Sequence, residues 1–102
     1  MSYRLNFVSP AWNEWKKLDP PIQSQLGKKL KKCRALPHIP GNRLYGRDFR
    51  GLDNVYKIKL RASGYRLVYQ VDDEEMVILV LSVGKRERGM AYKKASERLG
   101  FR

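Results

Sequence analysis

The sequence has little of what many catalytic and extracellular scaffolds are built on. A single cysteine, Cys33, excludes an internal disulfide framework and a cysteine-rich zinc site. A single histidine, His38, excludes a two-histidine acid–base nuclease within one chain, and it sits in a proline-flanked loop with no Ser-His-Asp motif around it. No apolar run approaches the ~20 residues that a membrane span needs. The first residues, Met1-Ser2-Tyr3-Arg4, carry no apolar signal region, so a cytoplasmic location is expected. Acidic residues are scarce: 10 Asp and Glu stand against 22 Lys and Arg, for a net charge of +12. Asp72-Asp73-Glu74-Glu75 are consecutive in what reads as a solvated turn, not set on a scaffold for two metal ions. Gly84-Lys85-Arg86 lacks the spacing of a phosphate-binding loop. No metal and no cofactor is expected.

What is present is enough for a fold. At 102 residues, with 42% hydrophobic and 11% aromatic content, residues 1–102 read as one compact domain with a small core. The excess positive charge favours polyanions: RNA, DNA, a ribosome or an acidic protein. It is not confined to one amphipathic helix, so a membrane surface is not the expected partner. Solubility alone is the plainer account of such charge. A surface this basic binds nucleic acid indiscriminately through counterion release, so a partner that covers it is expected.

The period of the apolar residues gives the elements. Tyr3 to Phe7 alternates and reads as a first strand. Ser9-Pro10, a capping hydroxyl followed by proline, starts a helix carrying Ala11, Trp12, Trp15 and Leu18. Asp19-Pro20 starts a second helix, antiparallel to the first. Its stripe of Ile22, Leu26, Leu30 and Cys33 ends before Pro37. Cys33 then reads as a core filler. Lys28, Lys29, Lys31, Lys32 and Arg34 crowd the rest of that helix, more simply as a solvated face than as a specific site. Leu36 to Asn54 is irregular, with one short strand expected near Arg43–Tyr45.

From Val55 the period becomes twofold. Tyr56, Ile58 and Leu60 alternate with Lys57, Lys59 and Arg61, and Tyr65, Leu67, Tyr69 and Val71 alternate with Arg66, Val68 and Gln70. Met76 to Val83 is nearly all apolar, as in a strand buried on both faces. Gly89 to Leu99 reads as a closing helix with Ala91, Tyr92, Ala95 and Leu99 inward. The fold class is α+β: two N-terminal helices packed on a small, mainly antiparallel sheet, then a C-terminal helix.

Taking Ser63-Gly64 as a two-residue loop pairs Arg61 with Arg66, Lys59 with Val68 and Lys57 with Gln70. Lys57, Lys59, Arg61 and Arg66 then share one face of the hairpin. Like charges so placed cost stability, and an anion bound between them offsets that cost. The next strand returns Lys85, Arg86 and Arg88 to the same end. The result is a phosphate site made of cations alone.

Two stretches carry a family resemblance. Val55-Tyr-Lys-Ile-Lys-Leu-Arg-Ala-Ser-Gly-Tyr-Arg-Leu-Val-Tyr-Gln-Val71 resembles the core of the RelE toxins, and Leu81-Ser-Val-Gly-Lys-Arg-Glu-Arg88 followed by Tyr92 is similar to that family's second signature. Weaker similarity runs through Glu14-Trp15-Lys16-Lys17-Leu18, and Gly46 to Asn54 departs by being longer. The resemblance implies a bacterial type II toxin–antitoxin toxin: a ribosome-dependent endoribonuclease that cuts mRNA in the A site of the 70S ribosome and is neutralised by a RelB-like antitoxin. It implies contact with promoter DNA only through the antitoxin complex.

It also implies a catalytic set of Lys57, Lys59, Arg66, Arg86 and Tyr92; the placement of charge adds Arg61, Lys85 and Arg88 as expected RNA phosphate contacts. Crowding by cations lowers a lysine pKa, which makes Lys59 the candidate general base for the attacking 2′-hydroxyl. Lys57 and Arg66 are then phosphate ligands, the latter with a planar fork. Arg86 is the candidate proton donor or leaving-group stabiliser; a guanidinium holds its proton too tightly to be a good acid, which suits it better to the second task. Tyr92 would stack on a base or orient the 2′-hydroxyl, with Tyr3, Tyr45 and Tyr56 as less favoured candidates. The plainer alternatives are a core role for Tyr92, a steering role for Arg61 and a non-catalytic binding face for Lys57 and Lys59. Competing functions are a ParE-like inhibitor of DNA gyrase on the same fold, a non-catalytic RNA-binding module and a DNA-binding repressor.

Overall fold

A computed structural model describes residues 2–44, 54–85 and 98. Strand β1 spans Arg4–Phe7, helix α1 Ser9–Lys16 and helix α2 Pro20–Ala35. A short 3₁₀ turn at Pro40–Asn42 follows, then strands β2 (Val55–Leu60), β3 (Tyr65–Asp72) and β4 (Val77–Lys85). The four strands form one mixed sheet in the order β1-β4-β3-β2. The β2–β3 and β3–β4 pairs are antiparallel, while β1 runs parallel to β4, a pairing that requires the intervening chain to cross over. No described helix is long and apolar enough to cross a membrane.

The helical stripe behaves as its spacing predicts. Ile22, Leu26, Leu30 and Cys33 are all buried, and they join Tyr56, Ile58, Leu60, Leu67, Tyr69 and Ile78 in one core. Each such side chain contributes ~1.5–3 kcal/mol on leaving water. α1 packs on β1 and β4, and α2 packs on β2, so both helices cover the same face of the sheet. Tyr69 lies at the centre of that layer. It stacks on Tyr56 with ring centroids 5.5 Å apart, and its hydroxyl donates to the Pro37 carbonyl at 2.8 Å. Burial pushes the Cys33 thiol up, which suits a core filler and not a nucleophile.

Several expectations need correction. Ser9 does not cap α1: Val8 occupies that position with no side-chain cap bond, and Ser9 already lies within the helix. Asp19 does stand at the cap of α2, again without a side-chain bond, and Pro20 opens the helix. The first strand begins one residue late. The Tyr3 N–H instead donates to the Arg34 carbonyl at 2.8 Å, and Arg34 Nε donates back to the Tyr3 carbonyl at 2.8 Å. Near Arg43 there is an isolated bridge from Arg43 to Tyr56 in place of a strand, and Tyr45 lies outside the described residues.

The hairpin register also differs. The turn takes four residues, Arg61 to Gly64, so Leu60 pairs with Tyr65, Lys59 with Arg66 and Lys57 with Val68. The Gly64 N–H closes it on the Leu60 carbonyl at 2.8 Å, and Gly64 adopts φ 77°, a left-handed conformation that glycine takes at little cost. Arg61 is therefore in the turn and not on the strand opposite Arg66.

β4 is buried almost throughout, as its unbroken apolar run implies. A register shift falls where Val68 faces Ser82 and Tyr69 faces Val80, which leaves Leu81 as an extra residue. Beyond Val80, β4 has outrun β1. There the Glu14 carboxylate accepts from the Val83 N–H at 3.3 Å, and Arg98 donates to the Leu81 carbonyl at 3.0 Å. Arg98 and Glu14 also pair with each other at 2.8 Å, so two side chains take the place of a neighbouring strand. Apart from Arg98, the expected helix at Gly89–Leu99 lies outside the described residues.

Candidate active site

The sheet face away from the helices carries the cations. Across the strands, Lys59 faces Arg66, which faces Gly84; one row along, Lys57 faces Val68, which faces Ser82. Directly paired residues project to the same side, so Lys57, Lys59 and Arg66 stand together there. The floor beside them is Val68, Ser82 and Gly84. A Cβ placed on Gly84 would meet nothing within 4 Å among the described residues. The extra Leu81 in β4 is what brings Ser82 and Gly84 to this face, since a regular strand would present the opposite set. A hollow of ≈ 240 Å³ at the turn is lined by Lys59, Arg61, Gly64, Tyr65 and Arg66.

The shift in register leaves the face intact because it is a shift of two, and side chains alternate with a period of two. Lys57 and Arg66 are half-buried and Lys59 is exposed. The Lys57 ammonium, by its charge and by a side-chain hydrogen bond, holds the Lys59 amine below the ordinary lysine range. Desolvation and the charges of Arg66 and Arg61 act in the same direction. Lys59 is thus biased toward the neutral form that accepts a proton. Three cations on one face are chemistry suited to phosphate oxygens. Such a cluster can stabilise a developing oxyanion without a metal ion. Among the described residues, no group of three or more His, Cys, Asp or Glu could hold one.

Lys85 faces Tyr65 at the same end of the sheet and is exposed. Arg86, Arg88 and Tyr92 lie outside the described residues. Two of the less favoured tyrosines are removed from the cluster. Tyr56 is buried in the core, and Tyr3 donates to Asp73 Oδ1 at 2.7 Å beyond the opposite end of β3. Gly84, which faces Arg66, is a neighbour of the cluster that sequence reasoning missed, and Ser82 shares that face but is buried. Their signal was the interruption of an apolar run by two small residues. His38 also has a partner that the sequence did not disclose: its Nε2 lies 3.0 Å from Asp73 Oδ1. Among the described residues no serine joins that pair, and it stands at the far end from the cations. A hollow of ≈ 500 Å³ near it is lined by Arg4, Gln70, Asp72 and Glu75 among others; its carboxylates make it a poor phosphate site.

The comparison with known proteins bears on this geometry directly. The family model for the ParE toxin of the type II toxin–antitoxin system parDE matches residues 5–90. The mRNA interferase toxin RelE of Escherichia coli K12 is 50% identical, over 97% of this chain and 99% of that protein. The chain belongs to the RelE toxin family. A RelE-like toxin protein of Escherichia coli is 56% identical over the same shares of the two chains. Among solved structures, a double arginine-to-alanine variant of E. coli RelE in the free state superposes with a TM-score of 0.84 at 47% identity, covering 97% of this chain and 99% of that one. The toxin in the intact E. coli RelBE toxin–antitoxin complex superposes with a TM-score of 0.76 at 50% identity, covering 85% of this chain and 100% of that one. The RelE fold of two helices on a four-stranded mixed sheet is therefore this chain's fold.

Proposed function

We propose that residues 1–102 act as one toxin domain of a bacterial type II toxin–antitoxin module, an endoribonuclease that cleaves mRNA in the ribosomal A site of the cytoplasm and is held inactive by a RelB-like antitoxin. The observation that carries the chemistry is Lys59 facing Arg66 across β2 and β3, with Lys57 on the same face and the Lys59 amine held low by them. RNA bears its own nucleophile. In the proposed reaction Lys59 takes the proton of a 2′-hydroxyl, whose oxygen attacks the adjacent phosphorus. Lys57 and Arg66 stabilise the dianionic phosphorane. The P–O5′ bond then breaks, and the 5′-oxygen leaves as an alkoxide that takes a proton from water while protonated Lys59 returns its proton to solvent, giving a 2′,3′-cyclic phosphate and a 5′-hydroxyl. Arg86 is assigned to the leaving oxygen and Tyr92 to the base or the 2′-hydroxyl. Arg61, Lys85 and Arg88 steer the backbone.

An amine base and fixed cations do not by themselves orient a flexible RNA. Alignment of the 2′-hydroxyl with the P–O5′ bond is worth several kcal/mol, and an external template such as the ribosome can supply it. The identity with mRNA interferases over nearly the full length of both chains favours this reading over a gyrase inhibitor on the same fold. The test compares cleavage of one message free in solution and in a programmed ribosome with an empty A site. The proposal expects slow cutting of the free message and fast cutting on the ribosome. Equal rates reject ribosome dependence, and no cleavage in either setting rejects the enzyme.

A further inference from the structure

The lysine-rich side of α2 reads in sequence as a solvated face, but the structure gives part of it a shape. Lys29 and Lys32, three apart on the helix, form one wall of a hollow of ≈ 320 Å³ whose other wall is Lys59 and Arg61, with Asn42 at its rim. Its floor is apolar, made by Cys33, Ile39 and Ile58. Among the described residues no acidic side chain lines it, and α2 has no carboxylate of its own to offset the lysines. Among the described residues, no carboxylate pairs with Lys29, Lys32, Lys59 or Arg61. Lys59 and Arg61 also line the hollow that contains Arg66, so the two basic hollows adjoin around the outer edge of β2.

We propose that the hollow between α2 and β2, walled by Lys29, Lys32, Lys59 and Arg61, is a second phosphodiester subsite that holds the RNA backbone next to the phosphate at Arg66. It rests on the reading that the substrate is RNA and extends it by a direction: the strand passes around the β2 edge toward α2. Four cations about a concave surface repel one another unless an anion sits between them. Two such hollows sharing a pair of cations suit a ligand with anions at regular intervals along a chain. A single phosphate or one acidic side chain would fill only one of them. Asn42 supplies a neutral donor at the rim, and the apolar floor can lie against a sugar or base.

The experiment measures binding of a short single-stranded 2′-O-methyl RNA, which offers no 2′-hydroxyl and is not cut, so the result is independent of cleavage. The test pair is Lys29→Gln with Lys32→Gln. The control pair is Lys28→Gln with Lys31→Gln, equal in charge change, exposed on the same helix and absent from the hollow. Glutamine keeps good helix propensity at all four positions, and a thermal melt checks the fold. The test pair is expected to weaken binding roughly tenfold at ~0.1 M salt and to reduce the slope of log affinity against log salt by about 1.4, with a much smaller effect from the control pair. Equal effects from the two pairs would mean a diffuse field and overturn the subsite. Unchanged RNA binding by the test pair, with loss of binding to an acidic antitoxin peptide, would assign the hollow to a protein and overturn it as well. Failure of the ribosome assay with retained test-pair selectivity would reject the cleavage reading and leave the subsite standing.

Discussion

The two ends of the sheet are built on opposite principles. At the acidic-turn end, Asp73 receives the Tyr3 hydroxyl at 2.7 Å and the His38 ring at 3.0 Å, with Asn54 at 3.5 Å. A negative group there is surrounded by donors, and β1, the exit of α2 and the β3–β4 turn are tied together by it. The Tyr3 hydroxyl is pushed up in pKa chiefly because it donates to Asp73. At the hairpin end, Lys59 stands beside Lys57, opposite Arg66 and near Arg61, and its own pKa falls because its neighbours share its sign. One end uses charge to join elements. The other holds like charges together on a rigid pair of strands, which lowers stability and leaves the site ready for an anion. A group whose pKa is shifted by neighbours of its own sign is a candidate for a functional role.

Substitutions at the two ends should therefore separate activity from stability. The largest effect is expected from Arg66→Ala: a loss of ~10²–10³ in the ribosome-dependent cleavage rate by protein that a thermal melt shows to be folded. Rate and melting measured on one preparation check both halves. Tyr69→Phe should do the reverse. It leaves the buried Pro37 carbonyl without its donor and should cost about 1–3 kcal/mol in denaturant unfolding, with little change in cleavage by the folded fraction. Gly84→Ala should fold normally, since its Cβ meets nothing within 4 Å among the described residues, yet slow cleavage about tenfold by intruding beside Arg66. The smallest effect is expected from Asp73→Asn: under about 1 kcal/mol in unfolding and no change in rate, because Asp73 and the His38 ring beside it are about half exposed, at 48% and 41%.

Much of this was legible in the sequence where periodicity carries the information. The α2 stripe and the β2 and β3 alternations fix which side chains face the core. The parity of Lys57, Lys59 and Arg66 survived an error of two in register because a shift of two preserves the face. The turn length was not legible. Arg61-Ala62-Ser63-Gly64 closes through a left-handed Gly64, and Ser63-Gly64 alone resembles a shorter turn. The extra residue at Leu81 could not be seen in an apolar run, which has no alternation to interrupt. The pairing of His38 with Asp73 is a contact across 35 positions, set by packing and not by any local motif. The α2 lysines read as solvent-facing because a helix pattern does not reveal that β2 and the turn after it place Lys59 and Arg61 across from them.

The central claim is that Lys59 acts as a base because Lys57 keeps its amine low. A neutral amine is the active form, so cleavage should rise with pH through the Lys59 pKa. Lys57→Gln removes the largest cause of the depression, and the pKa should return toward the ordinary lysine value of ~10.4. The direct measurement is the pH dependence of single-turnover cleavage in the programmed ribosome, for the wild type and Lys57→Gln. The rising limb is predicted to move to higher pH in the variant, apart from any fall in the plateau rate. A limb that stays in place while the plateau falls would contradict the claim and leave Lys57 as a phosphate ligand only.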